Sequence, residues 1–122
     1  MKLRIKGDSI RLRLTQTEVR QLAETGEVES AMHVGTGTAL TYGVCAADSR
    51  QLEVAWFRNG LTLRVPRTWI GPWADGDGVG FEGTQDAGDG RTLAILIEKD
   101  FDCLHKRPDE QDAFPNPLAD AV

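Results

Sequence analysis

Cationic side chains alternate with apolar ones over the first fourteen residues, and they have the clearest capacity for binding chemistry. The cations are Lys2, Arg4, Lys6, Arg11 and Arg13. A period of two is the period of a β-strand, so these cations share one face of a hairpin whose turn is Gly7-Asp8-Ser9. Parallel guanidinium groups suit phosphates and carboxylates. We therefore take Arg4, Lys6, Arg11 and Arg13 as candidate ligand-binding residues for an acidic protein segment or a small anion.

Internal neutralisation is the alternative interpretation of this basic face. The chain has 14 Lys and Arg against 19 Asp and Glu, a formal net charge of -5. Carboxylates of the first helix, Glu18 and Glu24, could compensate the cations. Acidic residues near the C-terminus could do the same: Asp109, Glu110, Asp112 and Asp120. The sequence leaves both interpretations open.

The only close pair of metal-ligating residue types is Cys103-Leu-His105. Zinc sites usually combine two such pairs from distant segments, and the second pair is missing here. His33 and Cys45 would join it only if the fold brought them close. A nucleophilic cysteine would also need a base from elsewhere in the chain. We interpret Cys103 as structural and His105 as a surface residue, and we predict no metal site and no cofactor.

Two further motifs favour structural interpretations. Asp75-Gly-Asp-Gly78 resembles the start of a calcium loop, but Val79 and Asp86 occupy positions that need other ligands, and no predicted helices flank it. We expect a solvated acidic turn there. Trp69 and Trp73 could form a shelf for a ligand, but such a pair more commonly closes one end of a sandwich or barrel.

The elements around these residues follow from periodicity and turn chemistry. Thr15-Gln-Thr-Glu18 fits a capping box, and the spacing predicts a helix over 16–25 that ends at Gly26. Asn59-Gly60 predicts a type I′ hairpin that pairs Trp56 with Leu63. Pro66–Trp73 is expected to be a loop or a single helical turn. Further strands are expected over 28–34, 39–47, 51–58, 61–65, 79–85 and 92–98, and we detect no internal repeat.

The sequence therefore predicts an α+β fold, mainly an antiparallel β-sheet in a sandwich or partial barrel, with one short helix in the N-terminal half. We expect a single domain over 1–107 and an acidic, proline-containing tail over 108–122, with Phe114 as an anchor. A chain of 122 residues is long enough for a core without disulfide or metal support.

Composition excludes several classes of protein. The acidic balance makes nucleic-acid binding unlikely. The longest apolar run, Leu93–Ile97, is too short to cross a membrane, and no signal peptide is evident. We expect a cytoplasmic protein with reduced cysteines, for which a homo-oligomer is possible through edge strands.

Several segments together resemble a family of small bacterial proteins known only as a domain of unknown function. The segments are Lys2–Ser9, Arg11–Thr15, Leu40–Tyr42, Val79–Glu82, Glu98–Leu104 and Phe114–Pro117. The resemblance implies a stand-alone cytoplasmic domain of this length, with no activity or site residues to carry over. A weaker similarity is to the triphosphate-tunnel enzymes, but Lys2-x-Arg4-x-Lys6 stands where those enzymes have metal-binding carboxylates.

We predict a non-enzymatic binding or interaction domain whose basic strand face meets acidic groups. The alternative is a small phosphate- or anion-handling enzyme that uses the same face, with Asp75 and Asp77 holding a cation.

Overall fold

A computed structural model describes residues 1–101, which form two four-stranded β-sheets and two short helices. The predicted tail, Cys103, His105 and Phe114 lie outside the described residues. The elements in chain order are β1 (Lys2–Ile5), β2 (Ser9–Leu14), α1 (Gln16–Thr25), β3 (Glu27–Gly35), β4 (Thr38–Ala47), β5 (Glu53–Phe57), β6 (Gly60–Pro66), α2 (Arg67–Asp75), β7 (Gly80–Gly88) and β8 (Arg91–Lys99).

Each sheet is mixed. The first sheet has the strand order β1-β2-β8-β7 and the second has the order β3-β4-β6-β5. The α+β class is confirmed, but the central pairs β2–β8 and β4–β6 are parallel, and only the outer pairs are antiparallel. The two sheets do not close into a barrel. The parallel pairs join strands from distant parts of the chain, which no local pattern reveals.

Helix α1 begins and ends where the sequence predicts. The Thr15 side chain accepts a hydrogen bond from the Glu18 backbone N–H, and the Glu18 carboxylate accepts one from the Thr15 N–H at 2.9 Å. Gly26 ends the helix in the left-handed region, at φ 86°. Val19 and Leu22 form the buried side of the helix. The capping box and the apolar stripe together account for a helix that would be marginal on its own.

Glu18 gives this cap a pH dependence. Burial raises the pKa of Glu18, but hydrogen bonds from the Met1 amino group, at 2.8 Å, and from Thr15 outweigh it and hold the pKa below 4.5. Because the pKa is lowered in the folded state, the stabilisation is present above pH 4.5 and is lost as pH falls through the folded value. We expect Glu18→Gln to lower stability at pH 7 by less than about 1 kcal/mol.

Thermal melts of Glu18→Gln and wild type between pH 7 and pH 3 would check this expectation. The two curves of Tm against pH should converge on the acid side. Glu24→Gln, on an exposed part of the same helix, serves as the control and should differ little from wild type at any pH. A constant gap between wild type and Glu18→Gln would contradict the expectation.

A second helix occupies the segment that we expected to be a loop or a single helical turn. Helix α2 runs from Arg67 to Asp75 and contains Pro72. Its proline and glycine, Pro72 and Gly71, are poor helix formers, so propensity argues against it. Burial of Ile70 and Trp73 stabilises it instead. Tertiary packing overrides propensity here, and the expectation of one helix is wrong.

The hairpin between β5 and β6 exists, but its predicted register is wrong. The turn residues are Arg58 and Asn59, with φ of 49° and 60°, and Trp56 pairs with Leu61 rather than Leu63. Gly60 begins β6 opposite Thr41 of β4, where a Cβ would collide with the Thr41 Oγ1. The glycine of the Asn-Gly pair is therefore required by strand packing, and the turn lies one residue earlier.

The order of elements repeats, although no repeat is evident in the sequence. A hairpin, a helix and a second hairpin occur in the first half (β1-β2-α1-β3-β4) and again in the second half (β5-β6-α2-β7-β8). Each sheet combines the first hairpin of one half with the second hairpin of the other. Several buried positions correspond: Leu12, Leu14, Val19 and Leu22 match Leu63, Val65, Ile70 and Trp73. The repeat is one of topology and burial.

One continuous core lies between the inner faces of the sheets and the two helices. It includes alternate residues of the inner strands, such as Leu12, Leu63 and Ile97. Trp73 and Trp69 both pack on Phe81 of β7, with ring centroids 4.8 and 5.6 Å apart respectively. The tryptophan pair therefore attaches α2 to the first sheet.

Candidate functional site

The four cations of β1 and β2 lie on the outer face of the first sheet, and Lys6 follows β1 at the turn. Lys2 pairs with Arg13, and Arg4 pairs with Arg11 across the hairpin, while Leu3 and Leu12 point to the core. Lys6 and Ser9 exchange two backbone hydrogen bonds of 3.1 Å around the turn Gly7-Asp8. We call this set of side chains the basic face: Lys2, Arg4, Lys6, Arg11 and Arg13.

Glu98 holds two of the arginines in place. Its Oε1 atom accepts from Nε of Arg11 at 2.8 Å, from Nη2 of Arg11 at 2.7 Å and from Nε of Arg13 at 2.9 Å. Glu98 lies on β8 opposite Arg13, in the parallel pair. One carboxylate thus orients two guanidinium groups on the sheet surface. Charge-assisted hydrogen bonds of this kind are about twice as strong as neutral ones.

The structure also shows which carboxylates meet the basic face. Besides Glu98, Asp100 pairs with Lys2 at 3.0 Å. The first-helix carboxylates do not: Glu18 bonds Met1 and Thr15, and Glu24 lines a cavity elsewhere. The acidic C-terminal residues lie outside the described part of the chain. The period of two along β8 places Glu98 on the same face as Ala94 and Leu96. The sequence does not indicate that β8 pairs with β2, so it does not indicate that Glu98 meets the arginines.

A shallow groove of about 450 Å³ crosses the basic face. Cations lie along one side of it, and Glu82 and Thr84 of β7 along the other. Ala94 and Leu96 lie between them on β8. The residues that line the groove are Arg4, Lys6, Ser9, Ile10, Arg11, Glu82, Gly83, Thr84, Ala94, Ile95 and Leu96. Three of the four predicted site residues line it, and Arg13 lies beyond it against Glu98. Cationic groups beside apolar surface suit an amphipathic acidic ligand.

The other sequence candidates do not come together with this groove. Asp75 ends α2 and lines a second cavity of about 600 Å³, beside α1 and the end of β8. His33 lies opposite Ala39, whereas Cys45 lies opposite Glu27 near the other end of the same hairpin. Burial raises the pKa of the Cys45 thiol, partly opposed by nearby Arg64. Within residues 1–101, no three His, Cys, Asp or Glu side chains converge as a metal site would require.

The model of a family of unknown function, DUF7009, matches residues 1–118. The chain belongs to the DUF7009 family. No curated protein and no solved structure matches it. Neither helix of the described part is long and apolar enough to cross a membrane. Membership of DUF7009 does not assign an activity to the chain.

Proposed function

We propose that this DUF7009 protein is a binding domain that captures carboxylate or phosphate groups in the groove on its basic face. The observation that carries the proposal is the set of hydrogen bonds from Arg11 and Arg13 to the Glu98 carboxylate, which we call the Glu98 clamp. The clamp aligns the two arginines and fixes Arg11 at the groove wall. A preorganised guanidinium loses little conformational entropy when it binds an anion.

Charge on this face supports the same conclusion. Its five cations share this side of the sheet with Glu82, Glu98 and Asp100, in a chain that is acidic overall. Glu98 and Asp100 are engaged by Arg11, Arg13 and Lys2. No hydrogen bond to another described residue occupies Nη1 of Arg11, and Lys6 makes no ion pair within residues 1–101. Donors therefore remain at the end of the groove that faces the hairpin turn.

Charge-removing substitutions at that end test the proposal. We expect Arg4→Gln with Lys6→Gln to weaken binding of an oligoglutamate peptide or pyrophosphate at least about ten-fold, a loss of about 1.4 kcal/mol. Binding is measured by NMR titration at low and moderate salt. Screening should weaken wild-type binding as salt rises. The Tm should change little because both side chains are exposed.

Arg50→Gln with Arg58→Gln is the matched control. Both arginines are exposed and lie away from the groove, and the double change removes the same charge. It should leave affinity within about two-fold of wild type. Equal losses in the two double variants would mean that only net charge matters, and no binding to wild type would refute the proposal.

The alternative, a phosphate- or anion-handling enzyme, has no specific observation in its favour. That enzyme would hold a cation with Asp75 and Asp77, but Asp75 lines the other cavity. Glu82 is the one carboxylate that lines the groove among the described residues. As part of the same proposal, we place the protein in the bacterial cytoplasm, with an acidic protein segment as its partner. The free thiol of Cys45 is consistent with that compartment.

A further inference from the structure

The side chain of Gln85 connects an edge strand of the first sheet to an edge strand of the second. The Gln85 amide on β7 reaches the edge strand β5, where its Oε1 accepts from the Val54 N–H at 2.7 Å and its Nε2 donates to the Val54 carbonyl at 3.1 Å. A single side chain thereby satisfies both outward backbone groups of Val54, as a neighbouring strand would. We call this contact the Gln85 bridge.

In the first half of the fold, the position that corresponds to Gln85 is occupied by Met32. Met32 lies opposite Leu40 on the β3–β4 hairpin, as Gln85 lies opposite Leu93 on the β7–β8 hairpin. The strand that corresponds to β5 is β1, and the residue that corresponds to Val54 is Leu3, since these pair with Leu63 and Leu12 respectively. A thioether cannot donate a hydrogen bond and is a weak acceptor. Met32 therefore cannot form a counterpart of the bridge at β1.

Among the described residues, β1 is an edge strand whose outward backbone groups have no such partner. Lys6 and Ser9 form a hydrogen-bonded pair, so the alternation of an antiparallel ladder turns the N–H and C=O groups of Ile5 and Leu3 away from β2. No hydrogen bond from another described residue reaches these groups. Unpaired edges of this kind are templates for an added strand.

The two sides of this edge differ in chemistry. On the outer side, β1 presents Lys2 and Arg4 of the basic face, and Lys6 follows directly after the strand. On the inner side, large apolar residues are exposed: Ile5 at 57%, Met32 at 51% and Val34 at 64%. A strand added here would place alternate side chains on these two surfaces. It would meet cations on one side and apolar groups on the other.

We infer that the partner is an extended protein segment with alternating acidic and apolar residues, which pairs with β1 as an additional strand. The inference rests on the proposed function for its acidic half and adds the mode of recognition. Main-chain hydrogen bonds to Leu3 and Ile5 supply affinity, and the basic face and apolar residues supply selectivity. A second copy of the chain fits less well, because two β1 strands side by side would bring their cations together.

Peptide probes test the inference on the intact protein. The probe is a peptide of about eight residues with alternating glutamate and valine, and the controls are a block isomer of the same composition and an N-methylated version. We expect the alternating peptide to bind at least ten-fold more tightly than either control. It should also slow hydrogen exchange at the Leu3 and Ile5 amides, with no change at Val54, which Gln85 already bonds.

Substitutions at the corresponding positions provide the matched pair of variants. Met32→Gln is expected to create the missing bridge, protect the Leu3 amide without peptide and weaken binding about ten-fold. Gln85→Met should remove the existing bridge and lower Tm while leaving binding within about two-fold. An unprotected Leu3 amide in Met32→Gln would contradict the correspondence with Gln85, and unchanged binding with Leu3 protected would overturn strand addition.

The failures of the two proposals are distinguishable. If the block isomer and the N-methylated peptide bind as well as the alternating one, acidic groups bind but strand addition is wrong. If none of the three binds, the proposed function fails as well. If Leu3 and Ile5 are already protected in the free protein, another part of the chain or a second copy covers the edge, and the partner is not the one inferred. Hydrogen exchange at lower protein concentration separates those two cases, because only protection by a second copy is lost on dilution.

Discussion

Glu98→Gln lowers the free energy of unfolding by about 2 kcal/mol, because it removes the only negative charge bonded to Arg11 and Arg13 among the described residues. All three side chains are largely shielded from water, with exposed fractions of 13% for Glu98, 26% for Arg11 and 12% for Arg13. Without the carboxylate, two guanidinium groups repel each other on one sheet face. The remaining exposure keeps the loss below that of a fully buried ion pair.

Urea denaturation of Glu98→Gln and Glu82→Gln would measure this loss. Glu82 lies on the same outer face, on the neighbouring strand β7, and is exposed. Its substitution should cost less than about 0.5 kcal/mol. We also expect Glu98→Gln to weaken anion binding, since Arg11 is no longer held at the groove. Equal stabilities for the two variants would mean that the clamp contributes nothing to the fold.

Leu12→Ala and Leu63→Ala each lower the free energy of unfolding by about 3 kcal/mol. Both side chains are fully buried, and they occupy corresponding positions in the two halves of the fold. Each is on a central strand of its sheet and faces the shared core. Truncation therefore removes buried methyl groups and leaves a cavity that strands on either side prevent from collapsing.

Chemical denaturation measures both losses, with Val79→Ala as the control. Val79 is 54% exposed, so its truncation should change stability by less than about 0.5 kcal/mol. A similar loss in Leu12→Ala and Leu63→Ala is expected if the core is one cooperative unit. A loss confined to one of them, with the other near the control, would contradict a single core shared by both sheets.

Local patterns in the sequence were sufficient for the elements near the N-terminus. Alternation placed five cations on one face of a hairpin, and the structure shows them there. A capping box and Gly26 gave α1 its bounds. In both cases the determining interactions join residues a few positions apart, so residue types alone carry the information. The same holds for most strand positions, but not for the β5–β6 register, which depends on Thr41 of a distant strand.

The sequence predicts the cations of the candidate site but not the residues that face them. The cations were found because they alternate, whereas Glu98, Glu82 and Thr84 reach the site through pairings of β8 and β7. Glu98 is separated from Arg11 by most of the described chain. Backbone hydrogen bonds between strands have no preference for residue type, so the sequence does not indicate which strands pair.

The sequence by itself determined the hairpin, its basic face, α1 and the α+β class. Only the tertiary structure decided the parallel pairing of β2 with β8, the helix α2, the topological repeat and the Gln85 bridge to β5. The physical reason is the range of the interactions. Capping, turn and alternation patterns act between neighbours in the chain, whereas burial of Trp73 and the contact of Gln85 with Val54 depend on segments that meet only after folding.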